Sequence, residues 1–404
     1  MEFRLSLCKY MLAAAFGTLM VSASAAAEVE VKVGVLTDMS GPYADLSGSG
    51  SVVATQLAVE DFLATHPGVK VEVVSADHHN KPDVGVSVAR TWYDVDGVDM
   101  IVDVTGSAVA LAVMNVARDK NKVVMPTAGS SRVTGDLCTP NSVQWTYDTW
   151  ANAKVVGSAL VAEGGDSWYF ITADYTFGHT LMADTTAMVE KAGGKVLGST
   201  LHPLNTFDYS TALLAARSSG AKVIGLANGG TDMSTTIKQA QEFKVVERGQ
   251  KIAALAMFFT DVHSIGLEAA QGLVYASAFY WDMNDKTRAF AKRYAQKAGG
   301  AMPTEVHAGV YSKTLHYLEA VAEVGSPDDG VKIVDTMKAT QYDDPLFGKV
   351  TIRADGRAVK DMYLVEVKKP EESKYPWDYL KVIRTVPGPE TVRPLEEGGC
   401  PLVK

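Results

Sequence analysis

Short aliphatic runs alternate along this chain with stretches whose apolar residues recur every three or four positions. Residues 31–36 predict a buried strand, because valines alternate and then run into leucine. A loop rich in Gly, Ser, Asp and Pro follows at 37–50, and the apolar spacing of 51–62 is helical. This strand–loop–helix order is the unit of open α/β sheets, where ligands bind beyond the carboxyl ends of the strands.

The alternation continues through two blocks of similar size. Residues 31–125 predict four strands separated by three helices, and residues 150–257 predict four helices alternating with four strands. Each block is typical of a doubly wound parallel sheet. A strand at 273–279 follows, and the helices predicted at 286–339 have no strands between them. Residues 362–367 and 379–386 predict a terminal hairpin.

We therefore predict an α/β fold with two doubly wound lobes, which suits a chain of 404 residues. We expect the helices of 286–339 to return and cover the first lobe, so that the chain crosses between the lobes several times and forms a hinge. The expected lobe 1 is 28–147 plus 281–361. Lobe 2 is 148–280 plus 362–404, which includes the C-terminal tail.

Residues 1–27 predict a signal peptide. Arg4 and Lys9 form a positive start, and the apolar run 11–21 is too short to span a bilayer. Small residues place the cleavage near Ala25 or Ala27. The alternatives are a membrane anchor or a core helix. We expect a periplasmic protein.

Charge and cysteine content narrow the class of protein. The formal net charge of −9 argues against a nucleic-acid partner. Two cysteines, Cys138 and Cys400, remain after the signal peptide, and an exported protein enters an oxidising compartment. We therefore expect a disulfide that ties the C-terminal tail to the start of the second lobe. The alternative is a pair of buried free thiols.

Motifs for catalysis and cofactors are weak. The G-x-G-x-x-A match at 48–54 lies about a dozen residues beyond its strand, too far for a dinucleotide fingerprint. Adjacent His78 and His79 cannot both face one metal ion from a regular element, which favours an ordinary turn. No nucleophile–base motif is visible. We expect that the protein binds no metal and no cofactor and that it is not an enzyme.

Two loops at neighbouring strand ends favour an anion site. Residues 103–107 and 126–131 present hydroxyl side chains and backbone N–H groups at the carboxyl edge of the first sheet. Such groups bind a carboxylate without a cationic side chain. The alternative is ordinary N-capping by Ser107 and Ser131.

Loops of the second block face the same cleft. Tyr175 and Phe177 supply aromatic rings, and Asn228 and Thr231 supply polar groups beside a Gly-Gly pair. Asp261 adds an acid, although acids at strand ends often cap helices.

These residues match a known family. The runs VGVLTDMSGPYA at 33–44 and ADYTFG at 173–178, with the two-lobe order, resemble periplasmic solute-binding proteins of ABC importers, of the Leu/Ile/Val and amide type. The resemblance implies the type I fold, in which three crossovers join two lobes that close on a small ligand. It also implies an inner-membrane ABC permease as partner. We expect a monomer.

The resemblance assigns a role to each loop of lobe 1. The position matching Ser107 bonds the carboxylate of the ligand, helped by the loop matching Thr127, Ala128 and Gly129. Ser130 is close enough to join them.

The pocket positions depart from the amino-acid binders. Leu46 stands at a position that is aromatic in the family, and nearby Tyr43 can supply the missing ring. At two positions of the second lobe that are aromatic in the family, this chain has Phe177, which is aromatic, and Thr231, which is not. Asp261, where an acid receives the ammonium of the ligand, is one methylene shorter than the usual Glu. Two ligand classes therefore stay open, an apolar amino acid and a small aromatic carboxylate.

Two other classes of function are alternatives. A sensory module that signals to a membrane receptor predicts a further membrane segment, and residues 401–404 end the chain without one. An enzyme on the same scaffold needs a nucleophile–base pair.

Overall fold

The computed structural model describes residues 29–403, and the predicted signal peptide with its cleavage near Ala25 or Ala27 lies outside them. The strands are β1 (Val29–Thr37), β2 (Val69–Asp77), β3 (Met100–Asp103), β4 (Val123–Pro126), β5 (Ser167–Ala173), β6 (Lys195–His202), β7 (Val223–Ala227), β8 (Lys251–Ala254), β9 (Val274–Ser277), β10 (Tyr342–Asp344), β11 (Gly348–Ile352), β12 (Ala358–Val359), β13 (Met362–Val367) and β14 (Leu380–Val386). The helices are α1 (Gly48–Thr65), α2 (Pro82–Asp94), α3 (Ser107–Asp119), α4 (Thr149–Asn152), α5 (Ser158–Ala162), α6 (Thr176–Lys191), α7 (Ser210–Ser218), α8 (Thr231–Glu242), α9 (Phe259–Ile265), α10 (Leu267–Ala270), α11 (Asp285–Lys297), α12 (Glu305–Val324), α13 (Gly330–Ala339) and α14 (Leu395–Gly398).

Two parallel sheets form the centres of two lobes. The first has the order β2-β1-β3-β4 and the second the order β6-β5-β7-β8. In the first, Val33 of β1 lies opposite Val73 on one side and Met100 on the other. Their apolar runs are buried because helices cover both faces. The predicted pair of doubly wound lobes is confirmed.

The helices that follow β9 pack against elements of the first lobe. Helix α12 packs along α1, and α13 contacts β4. Residues of α12, among them Val310 and Leu318, join one core with Val33 and Leu57. Since α12 is buried along most of its length, it acts as an internal helix of this lobe.

The last strands belong to the second lobe. β14 and β13 pair antiparallel, as the predicted hairpin required, and β9 joins them on the other side of β13. The small sheet β10-β11-β12 was not predicted. Its strands are two to five residues long and separated by turn residues, so they carry too little alternation to be recognised.

Several boundaries differ from the predicted ones. Helix α1 begins at Gly48 instead of 51, and β8 ends at Ala254, after which the apolar run continues into α9. The first helix of the block predicted at 150–257 contains a π-helical turn at Ala153–Gly157 between α4 and α5. Apolar spacing alone does not mark such changes of hydrogen bonding.

A buried network holds the segments that cross between the lobes. Glu305 at the start of α12 accepts from the N–H of Ala278, which follows β9. Lys360, between β12 and β13, donates to the carbonyls of Trp145 and Thr146, which precede α4. The crossing after β12 is therefore tied to the crossing after β4, and the start of α12 is tied to the segment that follows β9.

Cys138 and Cys400 form the expected disulfide, with their Cα atoms 5.6 Å apart, but Cys138 lies after β4 in lobe 1 and not at the start of the second lobe. The tail leaves β14 in lobe 2 and then packs on lobe 1, where Arg393 donates to the carbonyl of Ser131 at 3.1 Å. Within residues 29–403 no helix combines the length and the apolar character needed to cross a membrane.

Candidate ligand-binding site

A pocket lies between the lobes, at the carboxyl ends of both parallel sheets. The space between its lining atoms is about 310 Å³, which includes space open to solvent. The lining residues are Tyr43, Leu46, Thr105, Gly106, Ser107, Ala128, Gly129, Tyr147, Tyr175, Phe177, Gly229, Ala256 and Phe258. No lining side chain carries a charge.

Helix N-termini from both lobes meet at this pocket. Helices α3, α6 and α8 begin directly after the loops that follow β3, β5 and β7. Their N-cap residues Gly106, Tyr175 and Gly230 make no side-chain hydrogen bond to the first turn. The first N–H groups of a helix lack partners within the helix, and its dipole is positive at that end. The arrangement favours an anion.

Ser107 presents its hydroxyl group at the start of α3. Its Oγ accepts from the N–H of Ser130 at 3.2 Å, so its own proton is available to donate. Gly106 has φ 90°, and a Cβ there would overlap Asn80. Neither Ser107 nor Ser131 is an N-cap residue, since Gly106 and Ser130 occupy those positions.

Five aromatic rings form the apolar wall. Tyr147 and Phe258 meet edge to face at 5.6 Å, and Tyr175 and Phe177 lie 6.1 Å apart. Burial raises the pKa of Tyr43, Tyr147 and Tyr175 above the ordinary tyrosine value, so all three present neutral hydroxyl groups. A Cβ on Gly129 would come within 2.8 Å of the rings of Phe177 and Tyr147, which explains the glycine at this wall.

Contacts between the lobes close the pocket. The hydroxyl groups of Tyr43 in lobe 1 and Tyr175 in lobe 2 hydrogen bond to each other. Ser130 and Thr180 meet hydroxyl to hydroxyl at 3.1 Å. The N–H of Thr231 donates to the carbonyl of Pro42 at 3.2 Å. These bonds join lobe 1 to lobe 2 beside the pocket.

Comparison with known proteins identifies the family. A family model described as a periplasmic binding protein matches residues 30–373. The chain belongs to this family. Its members are solute-binding proteins and not enzymes.

Relatives share nearly the full length. "Leu/Ile/Val-binding protein homolog 6" of Brucella melitensis is 27% identical over 388 residues, which cover 90% of this chain and 94% of the relative. A crystal structure of a periplasmic binding protein from Burkholderia mallei is 46% identical with a TM-score of 0.90, covering 93% and 99% of the two chains. A branched-chain amino acid ABC transporter periplasmic ligand-binding protein from Burkholderia xenovorans LB400 is 42% identical with a TM-score of 0.82, covering 93% and 100%.

The pocket of this binding protein brings together seven of the residues singled out in the sequence. These are Tyr43, Leu46, Ser107, Ala128, Gly129, Tyr175 and Phe177. Two further residues lie behind the wall. Thr127 accepts from Lys313, and Ser130 contacts Thr180 of lobe 2. Asn228 is buried in lobe 2, where its amide meets His202 and Thr236.

Thr231 and Asp261 line a neighbouring cavity of about 480 Å³ instead. One carboxylate oxygen of Asp261 accepts from the N–H of Phe258 at 2.8 Å and the other from Ser234 at 2.9 Å. Burial raises the pKa of Asp261 to about 7, against these two bonds, which lower it. Asp261 therefore caps α9, and its side chain does not line the pocket.

Six lining residues were not singled out in the sequence. Thr105 and Gly106 lie inside the predicted anion loop, and Gly229 and Phe258 lie inside predicted strand-end loops, so their position was predictable. Tyr147 lies on a crossing segment that no periodicity marks. Ala256 belongs to the apolar run after β8.

Proposed function

We propose that this periplasmic binding protein captures a small aromatic carboxylate in the pocket between its lobes and delivers it to an inner-membrane ABC permease. The observation that carries the proposal is a pocket with five aromatic rings, converging helix N-termini and no charged side chain. The N–H groups at Gly106 and Ser107, with the Ser107 hydroxyl group, suit the carboxylate. The rings suit a flat apolar body.

The same wall argues against an α-amino acid, although relatives are named for branched-chain amino acids. An ammonium group buried here would have no carboxylate partner, and burying an unpaired charge is costly. Asp261 is the acid expected to receive it. Both of its oxygens are occupied within lobe 2, and it faces a different cavity.

A thermal-shift screen tests the ligand class. The panel is benzoate, 4-hydroxybenzoate and 4-hydroxycinnamate, with leucine, isoleucine and valine as the competing class. A ligand at a hundredfold excess over its Kd stabilises by about 2.7 kcal/mol, which is readily visible. We expect shifts with the aromatic acids. A shift with the amino acids alone would overturn the proposal.

Asp261→Asn sharpens the same screen, because the amide keeps an oxygen that can accept at the helix cap. If an amino acid were the ligand and Asp261 held its ammonium group, this change would remove the shift with leucine. Under our proposal the shift with aromatic acids persists, and the variant lowers only the melting temperature of the ligand-free protein.

We further propose that the mature protein is a periplasmic monomer that begins after Ala25 or Ala27. The support is the leader-like pattern of residues 1–27. Intact mass of protein recovered from the periplasm tests the cleavage, and light scattering tests the monomer.

A further inference from the structure

A lysine lies buried beneath the loops that line the carboxylate end of the pocket. Lys313 of α12 is fully buried. Its Nζ donates to Thr127 Oγ1 at 2.7 Å. Thr127 opens the loop 127–130 after β4, and Ala128 and Gly129 of that loop line the pocket. The cation therefore lies one residue behind the wall.

Asp103 at the end of β3 carries the opposite charge that acts on this lysine. Its carbonyl accepts from the N–H of Thr127, and its Oδ1 accepts from Thr105 at 3.3 Å. Its Oδ2 is buried without a hydrogen-bond partner among the described residues. Asp103 and Val104 have φ of 78° and 44°, a region that non-glycine residues rarely adopt. This strained turn leads directly to Gly106 and Ser107.

We propose that Lys313 is a positioning residue for ligand binding, whose positive charge offsets Asp103 beneath the two loops and so allows them to accept a carboxylate. The inference rests on the proposed function. Without the lysine charge, the buried Asp103 carboxylate, two residues before Thr105 of the pocket wall, would repel the carboxylate of the ligand. Like charges in a poorly solvated site repel strongly.

The charges around Lys313 and Asp103 determine whether the ligand affinity rises or falls with pH. Helix α12 packs against α1, α13 and β3, and Asp103 of β3 is the group whose charge acts on Lys313. Burial lowers the pKa of Lys313 to about 7, while the charge of Asp103 acts in the opposite direction. As pH rises through this value the lysine loses its charge, so the affinity for a carboxylate is expected to fall.

The other titratable groups near Asp103 stay neutral in this range. Burial lowers the pKa of His78 and His307 to about 4 and raises the pKa of Tyr147 and Tyr294 above the ordinary value. Two acids elsewhere also titrate near 7, because burial raises the pKa of Glu305 and of Asp261 to that value. Glu305 lies eight residues before Lys313 on α12, about 12 Å away, so a variant at 313 separates their contributions.

The experiment measures Kd by calorimetry for benzoate and 4-hydroxybenzoate and for their uncharged amides, benzamide and 4-hydroxybenzamide. We expect Lys313→Met to weaken binding of the acids roughly tenfold and of the amides less than about twofold, because only the acids carry the charge. Lys338→Met, on the neighbouring helix α13, removes a half-buried lysine away from the pocket and is expected to change neither.

The pH profile gives a second test that needs no loss of the side chain. Between pH 6 and 8.5 the affinity of the wild-type protein for the acids should fall, while its affinity for the amides stays level. Lys313→Arg keeps a charge that does not titrate, so its profile for the acids should be flat. A profile that persists in Lys313→Arg would assign the dependence to Glu305, Asp261 or His316, whose pKa is raised above the ordinary histidine value, and overturn the inference.

The outcomes separate the inference from the proposed function. Equal losses for acids and amides in Lys313→Met would show a merely structural lysine and overturn the inference alone, as would unchanged binding of the acids. Wild-type protein that binds neither acid would overturn both.

Discussion

At the scale of single residues, Ser107 carries the most specific expectation. Its Oγ accepts from the N–H of Ser130 and Ser107 lines the pocket, so the hydroxyl proton is available to donate to a ligand. A hydrogen bond from such a hydroxyl group to a carboxylate is charge-assisted. We therefore expect Ser107→Ala to weaken ligand binding by about 1–2 kcal/mol, measured by calorimetry.

Ser51→Ala is the matched control. Ser51 is also a buried serine in the first turn of a helix of lobe 1, but it does not line the pocket and its hydroxyl group has no partner among the described residues. Its substitution should leave Kd unchanged. Equal Kd values for wild type, Ser107→Ala and Ser51→Ala would remove Ser107 from the site.

The limits of sequence reasoning are also visible at this scale. Ligands of open α/β sheets bind beyond the carboxyl ends of the strands, and the strand–loop–helix order is a local pattern. The sequence therefore located the loops that carry Ser107, Ala128 and Gly129 of the pocket. It does not give the direction of a side chain. Thr127 turns inward to Lys313, and Asp261 turns back to cap α9, since each finds its partner through tertiary packing.

Among the secondary-structure elements, α12 contacts the hinge, the pocket loops and the small sheet, which its apolar spacing does not indicate. It lies within the helical segment predicted at 286–339, and its N-cap box and its final glycine are local signals for its two ends. Its buried charges were not recognised. They mark the contacts of α12 with the hinge at Glu305, with the pocket loops at Lys313 and with the small sheet at His316.

The link between α12 and β10 predicts a pH dependence of stability. Burial of His316 acts to lower its pKa, but hydrogen bonds to Asp344 at 2.8 Å and Glu319 at 2.9 Å outweigh it and raise the pKa above the ordinary value. A raised histidine pKa contributes stability that is complete below the unfolded value of about 6.5. This contribution is lost as pH rises through the folded pKa.

We therefore expect His316→Gln to lower the melting temperature most at pH 5.5 and progressively less up to pH 8.5. Each kcal/mol corresponds to about 2–4 °C for a lobe of this size. Glu319→Gln is a weaker control, because that partner is exposed. A melting-temperature difference that stays constant with pH would contradict the role of the charged histidine.

For the whole molecule, the two-lobe architecture follows from sequence because alternating strands and helices are a repeated local pattern. The course of the tail does not, since nothing periodic marks 387–403. Within this segment Gly388 donates to Asp361 at 2.8 Å, and Thr391 donates to the carbonyl of Lys360 at 3.2 Å. The tail thus lies along the third crossing before it reaches lobe 1.

The disulfide makes this tail a fourth, covalent connection between the lobes, from β14 to Cys138. The tail from 386 to 400 could extend to about 48 Å, so its length alone does not restrain opening. Its contacts at the hinge do, and the disulfide keeps the tail in place to make them. We expect Cys400→Ser to loosen the hinge, so that the radius of gyration of the ligand-free protein increases in X-ray solution scattering.

The same variant should lose about 2–4 kcal/mol of stability, the usual contribution of a disulfide. Saturating ligand should return its radius of gyration to the wild-type closed value, because closure brings the lobe contacts back. Cys138→Ser and the double variant serve as controls and should behave identically, since each removes the same bond. A lower melting temperature with an unchanged ligand-free radius of gyration would mean that the disulfide stabilises the tail without restraining the hinge.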